Sequence, residues 1–163
     1  MGSNQSGVFE SIGLELYTRM IRKASEFIKS GEVDFQSLNE QPEININHNC
    51  FIPENYLPDI NVRLLMYNKV ALAESNEDLK NIQIEMINRF GLLPQELKNF
   101  FLQAELKILS ENHSIEKINF NKNKISIKFK NGDLDTSFFN DDKLEEKVQM
   151  TTDVIRAISS NVS

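Results

Sequence analysis

The sequence predicts an α+β fold in which helices pack on a small, mostly antiparallel sheet, in the order α-β-α-α-α-β-β-β-α. Three observations lead there. Apolar residues recur at helical spacing in five separate stretches. Three short β-rich runs follow one another late in the chain instead of alternating with helices, and an Asn-Gly dipeptide lies between the last two. The chain has 163 residues, 40% hydrophobic and 26% charged, which suits one domain with a real core.

Each element has a local reason. Residues 1–6 are polar and read as a frayed linker, and 7–163 as a single domain. Phe9, Ile12, Leu16, Met20 and Phe27 fall mostly at helical spacing, Arg19, Arg22, Lys23 and Glu26 cover the other side, and Gly31 sits where a helix ends, so a helix is predicted over about 7–30. A loop over 31–42 leads to the alternating run Glu43-Ile-Asn-Ile-Asn-His-Asn, a half-buried strand with Ile44 and Ile46 on one face. Its place is at an edge of the sheet, but its partner is not written in the sequence. Pro53 and Pro58 enforce a loop. Asp59 then starts a helix with the stripe Ile60, Leu64, Tyr67 and Ala71. Ser75-Asn-Glu-Asp78 is a variant capping box ahead of Leu79, Ile82, Met86 and Phe90. Gly91 suits the left-handed residue that ends this helix, and Pro94 the first position of the next, whose core face is Leu97, Phe101, Ala104 and Ile108. Ile115–Phe120, Ile125–Phe129 and Leu134–Phe138 form a meander, turned at Asn121–Lys124 and at Asn131-Gly132, where both residues accept φ > 0. Leu144, Val148, Thr151, Ile155, Ile158 and Val162 predict a final amphipathic helix.

The net charge of -6 and a pI near 5.0 argue against a dominant non-specific grip on nucleic acid, which needs clustered Lys and Arg. One local patch departs from that average: Lys117, Lys122, Lys124, Lys128 and Lys130, on and around the first hairpin, are the candidates for a nucleic-acid-binding module. Phe100-Phe101 and Phe138-Phe139 lack nearby cationic clusters and read as core more than as base-stacking platforms. The sole cysteine, Cys50, has no internal disulfide partner, which fits a reducing cytoplasm. His48 and Cys50 are too few for a zinc site. His113, within Asn112-His113-Ser114, reads as a capping or exposed residue at a helix end. The acids Asp141, Asp142, Glu145 and Glu146 complement the start of the last helix more readily than they make a metal site. No run approaches the roughly 20 apolar residues of a membrane span. The phosphate-binding, nucleophile-elbow and zincin motifs are absent, so no catalytic residue, cofactor or metal is predicted. A small hydrolase has no candidate constellation.

One polar stripe stands out. At about 100° per residue, Asn81, Glu85, Asn88 and Arg89 share a strip largely opposite the apolar face of their helix. The plain reading is a solvated face with a Glu85–Arg89 pair. The functional reading is a polar docking face for another protein surface.

Three blocks then resemble the C-terminal domain of the bacterial transcription-repair coupling factor (Mfd) family. Gly2-Ser-Asn-Gln5-Ser6-Gly7 with Ile12-Gly13-Leu14-Glu15-Leu16-Tyr17 resembles the family's linker and first helix. Ile52-Pro53 through Tyr56-Leu57-Pro58-Asp59, with Arg63-Leu64 and Tyr67, resembles its I-P-x-x-Y-[IL]-P-D-x-x-x-R-L-x-x-Y block. Glu85-Met-Ile-Asn88-Arg89-Phe90-Gly91-Leu92-Leu93-Pro94 resembles its E-[LM]-I-[DN]-R-F-G-x-[LM]-P block, and Ala104-Glu105-Leu106-Lys107 fits as well. The resemblance implies a non-catalytic, autoinhibitory regulatory domain. It would dock on the UvrB-like N-terminal domain of its own protein and mask the surface that recruits UvrA in nucleotide excision repair. The whole protein would be an ATP-driven DNA translocase that also meets RNA polymerase and DNA; its motor motifs do not occur here. The docking contacts implied by the resemblance fall on Glu85, Asn88 and Arg89. Asn88 stands where the family often has Asp, so one charge of the contact is missing.

Overall fold

The computed structural model describes residues 41–137 and 143–161. The expected helix over 7–30, the linker before it, Gly31, most of the following loop, and Phe138, Phe139, Asp141, Asp142 and Val162 lie outside the described residues. Those described form β1 (Glu43–Asn45), α1 (Ile60–Ala71), α2 (Asn76–Phe90), α3 (Gln95–Asn112), β2 (Ile115–Phe120), β3 (Lys124–Phe129), β4 (Gly132–Ser137) and α4 (Leu144–Asn161). The α+β class and the order of the described elements agree with the sequence.

The sheet runs β1-β2-β3-β4. The meander β2-β3-β4 is antiparallel, with Ile118 opposite Ile127 and Ile127 opposite Leu134. β1 finds its partner at the β2 edge, in parallel, with Ile44 beside Ile118. β1 is shorter than its alternation predicts: the amide of His48 turns back to the carbonyl of Ile46, so His48 and Cys50 lie beyond the strand. The second hairpin closes one residue earlier than its Asn-Gly signal suggests. Phe129 pairs with Gly132, so Lys130 and Asn131 are the loop and Gly132 opens β4. The Lys130 amide donates to the carbonyl of Ser114, which ties that loop to the start of β2.

Helix ends follow their local chemistry. The carboxylate of Asp59 accepts the amides of Asn61 and Val62 at the start of α1. At α2, Ser75 and Asp78 make the reciprocal capping box, and Asp78 also takes the Glu74 amide. Gly91 ends α2 with φ 98° and ψ -171°, an extended positive-φ conformation instead of the left-handed helical one. Only glycine adopts it without strain. Pro94 is the cap of α3, not its first helical residue; its carbonyl accepts the amides of Leu97 and Lys98.

Two apolar clusters build the core. One joins Ile52, Leu57, Met66, Val70, Leu79, Met86, Leu97, Phe100 and Phe101 between the helices. The other joins Ile44, Ile118, Ile125, Ile127, Val148 and Ile155 between the sheet and α4. α3 runs between them, giving Phe100, Phe101, Ala104 and Ile108 to the first and Leu106 to the second. Cys50 packs against both. Phe100 meets Tyr67 and Phe101 edge-to-face inside the first cluster, so this aromatic pair is core, not a stacking platform.

The face of α1 differs from the predicted stripe. Tyr67 and Ala71 are buried, but Ile60 and Leu64 are only half-buried, while Arg63, Met66 and Val70 turn inward. The cause is Arg63, only 5% exposed, whose guanidinium donates to the carbonyl of Leu57 at 3.0 Å. Satisfying that loop carbonyl rotates the helix by part of a turn relative to a purely apolar reading.

Candidate functional site

The stripe predicted from the sequence lies on α2, and the structure adds a partner from another helix. Glu85 is the centre. Lys69 of α1 donates to both of its oxygens, at 2.8 and 2.7 Å. Arg89, one turn further along α2, donates to Oε1 at 2.9 Å. The lysine hydrogen bond, opposed by partial desolvation and aided by Arg89, holds the Glu85 carboxyl below its usual range. The Arg89 guanidinium lies 4.8 Å from the centroid of the Phe90 ring, so it is held from two sides. Asn88 is exposed, and its side chain has no partner among the described residues. Glu85, Asn88 and Arg89 are therefore brought together, but Glu85 and Arg89 are bound to each other and to Lys69 instead of standing free.

The surface beneath them is rigid. Met86 and Leu79 are buried in the helical cluster, and Tyr56 locks the end of α2: its hydroxyl lies 2.8 Å from the Gly91 carbonyl and 3.2 Å from that of Met86. Phe90 packs edge-to-face on the same tyrosine.

The same two helices also carry exposed apolar residues. Six large hydrophobic residues are exposed among those described: Leu65, Leu72, Ile84, Ile87, Leu92 and Met150. All but Met150 belong to α1, α2 or the turns that follow them. Leu65 and Leu72 stand four residues before and three after Lys69, on the same side of α1. At about 100° per residue, Ile84 and Ile87 lie on the side of Asn88 away from Glu85 and Arg89, and Leu92, just past Gly91, is 85% exposed. A single exposed leucine needs no explanation, but five exposed large hydrophobics on two adjacent helices and their turns do.

The sheet side offers no such group. Lys117 pairs with Glu43, Lys124 with Asp135 and Lys128 with Glu116, at 3.3, 2.7 and 3.4 Å. Lys147 donates to the Lys122 carbonyl. Three of the five lysines proposed for a nucleic-acid patch are thus tied to carboxylates on their own sheet. The chemistry-bearing residues elsewhere stay apart. His48 is exposed. Cys50 donates to the His48 carbonyl, and burial pushes its thiol up to about 12, away from the nucleophilic thiolate form. His113 caps α3 beside an open cleft of about 580 Å³ that also carries Lys130 and Asp133. Among the described residues no group of three or more His, Cys, Asp or Glu could hold a metal ion, and no helix is long and apolar enough to cross a membrane.

Sequence reasoning missed Lys69 and the apolar rim. Lys69 carried no signal, since its pairing with Glu85 depends on how α1 packs against α2. Ile84 and Ile87 did carry one: both are apolar and out of phase with Leu79, Ile82, Met86 and Phe90.

Comparison with known proteins agrees with this architecture. A family model for the TRCF domain matches residues 46–137. The transcription-repair-coupling factor of Borreliella burgdorferi is 37% identical over 80% of this chain and 11% of its own length. That of Haemophilus influenzae is 38% identical over 72% of this chain and 10% of its own. That of Escherichia coli is 32% identical over 75% and 11%. The chain thus spans about a tenth of the length of these curated relatives. Among solved structures, the C-terminal domain of a transcription-repair coupling factor superposes with a TM-score of 0.53 at 21% identity, over 55% of this chain and 56% of that one, a likeness of fold. The chain belongs to the TRCF domain family and is a transcription-repair coupling factor domain.

Proposed function

We propose that residues 7–163 are a non-catalytic, autoinhibitory docking domain. It binds the UvrB-like N-terminal domain of its own protein through Glu85, Asn88 and Arg89 and so masks the surface that recruits UvrA. Contacts with RNA polymerase and DNA, and ATP-driven translocation, then fall to other parts of the whole cytoplasmic protein. The observation that supports this reading is the make-up of one helix pair: α1 and α2 are joined by a Lys69–Glu85–Arg89 centre, and with the turns that follow them they carry five exposed large hydrophobics. Free solvated surfaces rarely gather apolar side chains in this way, whereas interfaces do. Docking within one chain has a high effective concentration, so modest affinity suffices and the clamp can open. Asn88 fits that need, because an amide hydrogen bonds without adding a charge.

The test is a double charge reversal, Glu85→Arg with Arg89→Glu, in the full-length protein. The guanidinium introduced by Glu85→Arg would then face Lys69, and the face would be rearranged. The expected result is stronger capture of UvrA in a pulldown. Unchanged capture would mean that this stripe is not the clamp. The nucleic-acid reading of the hairpin has a test of its own, an electrophoretic shift at low salt that disappears as salt rises. The paired lysines make the expected result no shift at micromolar protein.

A further inference from the structure

We propose that Asn131 is a site of spontaneous deamidation, and that its isoaspartate product releases the β3–β4 loop from the start of β2.

Reactivity follows from sequence and setting together. Among the asparagines of the chain, Asn131 alone is followed by glycine. Asparagine is thermolabile, most of all before glycine, where no Cβ shields the following amide nitrogen. The fold leaves this dipeptide open. Lys130 and Asn131 are the two loop residues between the paired Phe129 and Gly132. Asn131 is exposed, and its carboxamide has no partner among the described residues. A Cβ placed on Gly132 would meet nothing within 4 Å. Both residues line the open cleft beside His113, so water reaches them. Asn45 and Asn99 differ on each count: hydrogen bonds hold their carboxamides, and they precede Ile46 and Phe100.

The step needs only water. The Gly132 amide nitrogen gives up its proton and attacks Cγ of Asn131. A C–N bond forms, and the side-chain nitrogen leaves as ammonia with that proton. Water then opens the cyclic imide. Attack at Cγ gives aspartate, and attack at the main-chain carbonyl gives isoaspartate. One water enters and one ammonia leaves.

The product changes a contact that the loop makes. The Lys130 amide donates to the Ser114 carbonyl at 3.1 Å, and Ser114 is held at a φ of 55°. Isoaspartate lengthens the main chain of a two-residue loop by one carbon and adds a carboxylate two residues before Asp133. With Phe129 and Gly132 paired across it, the loop has no slack, so the Lys130–Ser114 bond is the contact that breaks.

The test is a peptide map of the full-length protein after days at body temperature and mildly alkaline pH, folded and in urea. In the folded protein the peptide carrying Asn131 should gain about 1 Da, mostly as isoaspartate, while those carrying Asn45 and Asn99 stay unchanged. Asn131→Gln should block the gain, and Gly132→Ala in urea should slow it by at least about tenfold. Hydrogen exchange of the segment holding Lys130 should be faster in the aged protein than in Asn131→Gln. If the peptide reacts in urea but not in the folded protein, the fold protects the dipeptide and the site is overturned. If the gain appears but exchange matches that of Asn131→Gln, release of the loop is overturned.

Discussion

The helical side and the sheet side of this domain both carry lysine–carboxylate pairs, but they surround them differently. On the sheet, Lys117, Lys124 and Lys128 pair across strands with acids, while alternation sends Ile118, Ile125 and Ile127 inward. That is the ordinary pattern of a half-buried sheet, and among the described residues none of the exposed large hydrophobics lies on a strand. On the helical side, the pairs to Glu85 join α1 to α2, and these helices with the turns after them also expose Leu65, Leu72, Ile84, Ile87 and Leu92. Salt bridges of similar length therefore stand on a sheet surface in one case and on a helix pair with exposed hydrophobics in the other. The neighbours, not the pairs, tell the two apart.

The comparison breaks most severely where a core is emptied. Phe100→Ala removes a fully buried ring from the helical cluster beneath the proposed docking face. It should cost about 3–5 kcal/mol, read as a fall in the midpoint of chemical unfolding. Ile127→Ala in the sheet cluster should cost about 2–5 kcal/mol and shift the same single transition, because α3 belongs to both clusters. Two separate transitions would show that the sides fold independently.

Gly91→Ala tests the turn that carries Leu92. An added Cβ meets nothing within 4 Å, so the penalty is conformational. About 1–3 kcal/mol is expected, together with a loosened docking face; a neutral effect in a thermal melt would contradict the stated backbone. Ser75→Ala, which removes the α2 cap, should lower stability by about 1 kcal/mol without touching the face.

The smallest effects separate two glutamates by pH. The folded-state value of Glu85 is depressed by Lys69 and Arg89, so its pairing stabilises above the ordinary carboxylate range and is lost as pH falls through that depressed value. Glu85→Gln should therefore destabilise by a few tenths of a kcal/mol near neutrality, in line with exposed pairs, and the difference should vanish in acid. Burial on α3 raises Glu105 instead, so its charged form opposes folding above the raised value, and that cost is relieved as pH falls through the ordinary carboxylate range. Glu105→Gln should be neutral or slightly stabilising at neutral pH, with no gain in acid. Urea melts of both variants across the acid range check the opposite signs.

Much of the fold was legible because its signals are local. Asp59, Ser75 with Asp78, and Gly91 each act within a few residues, and the alternation of Ile125, Ile127 and Phe129 specifies a face without any distant partner. What escaped depends on distant neighbours. β1 pairs with a strand some seventy residues later. Arg63 counts as polar in any pattern, yet a loop carbonyl draws it inside and rotates α1. The stripe of Glu85, Asn88 and Arg89 was found, but its meaning changed. Lys69 arrives from another helix and satisfies Glu85, so the stripe is a paired ionic centre and not a set of free charges.

The most direct test of the docking face is thiol labelling at Asn88 in the full-length protein. Asn88→Cys removes no side-chain partner among the described residues, and Cys50 contributes little background because burial suppresses its thiolate. Lys128→Cys on the sheet is the control. A docked face predicts that position 88 labels at least about tenfold more slowly than position 128 and that added UvrA removes the difference. Equal labelling at the two positions, with or without UvrA, would contradict it.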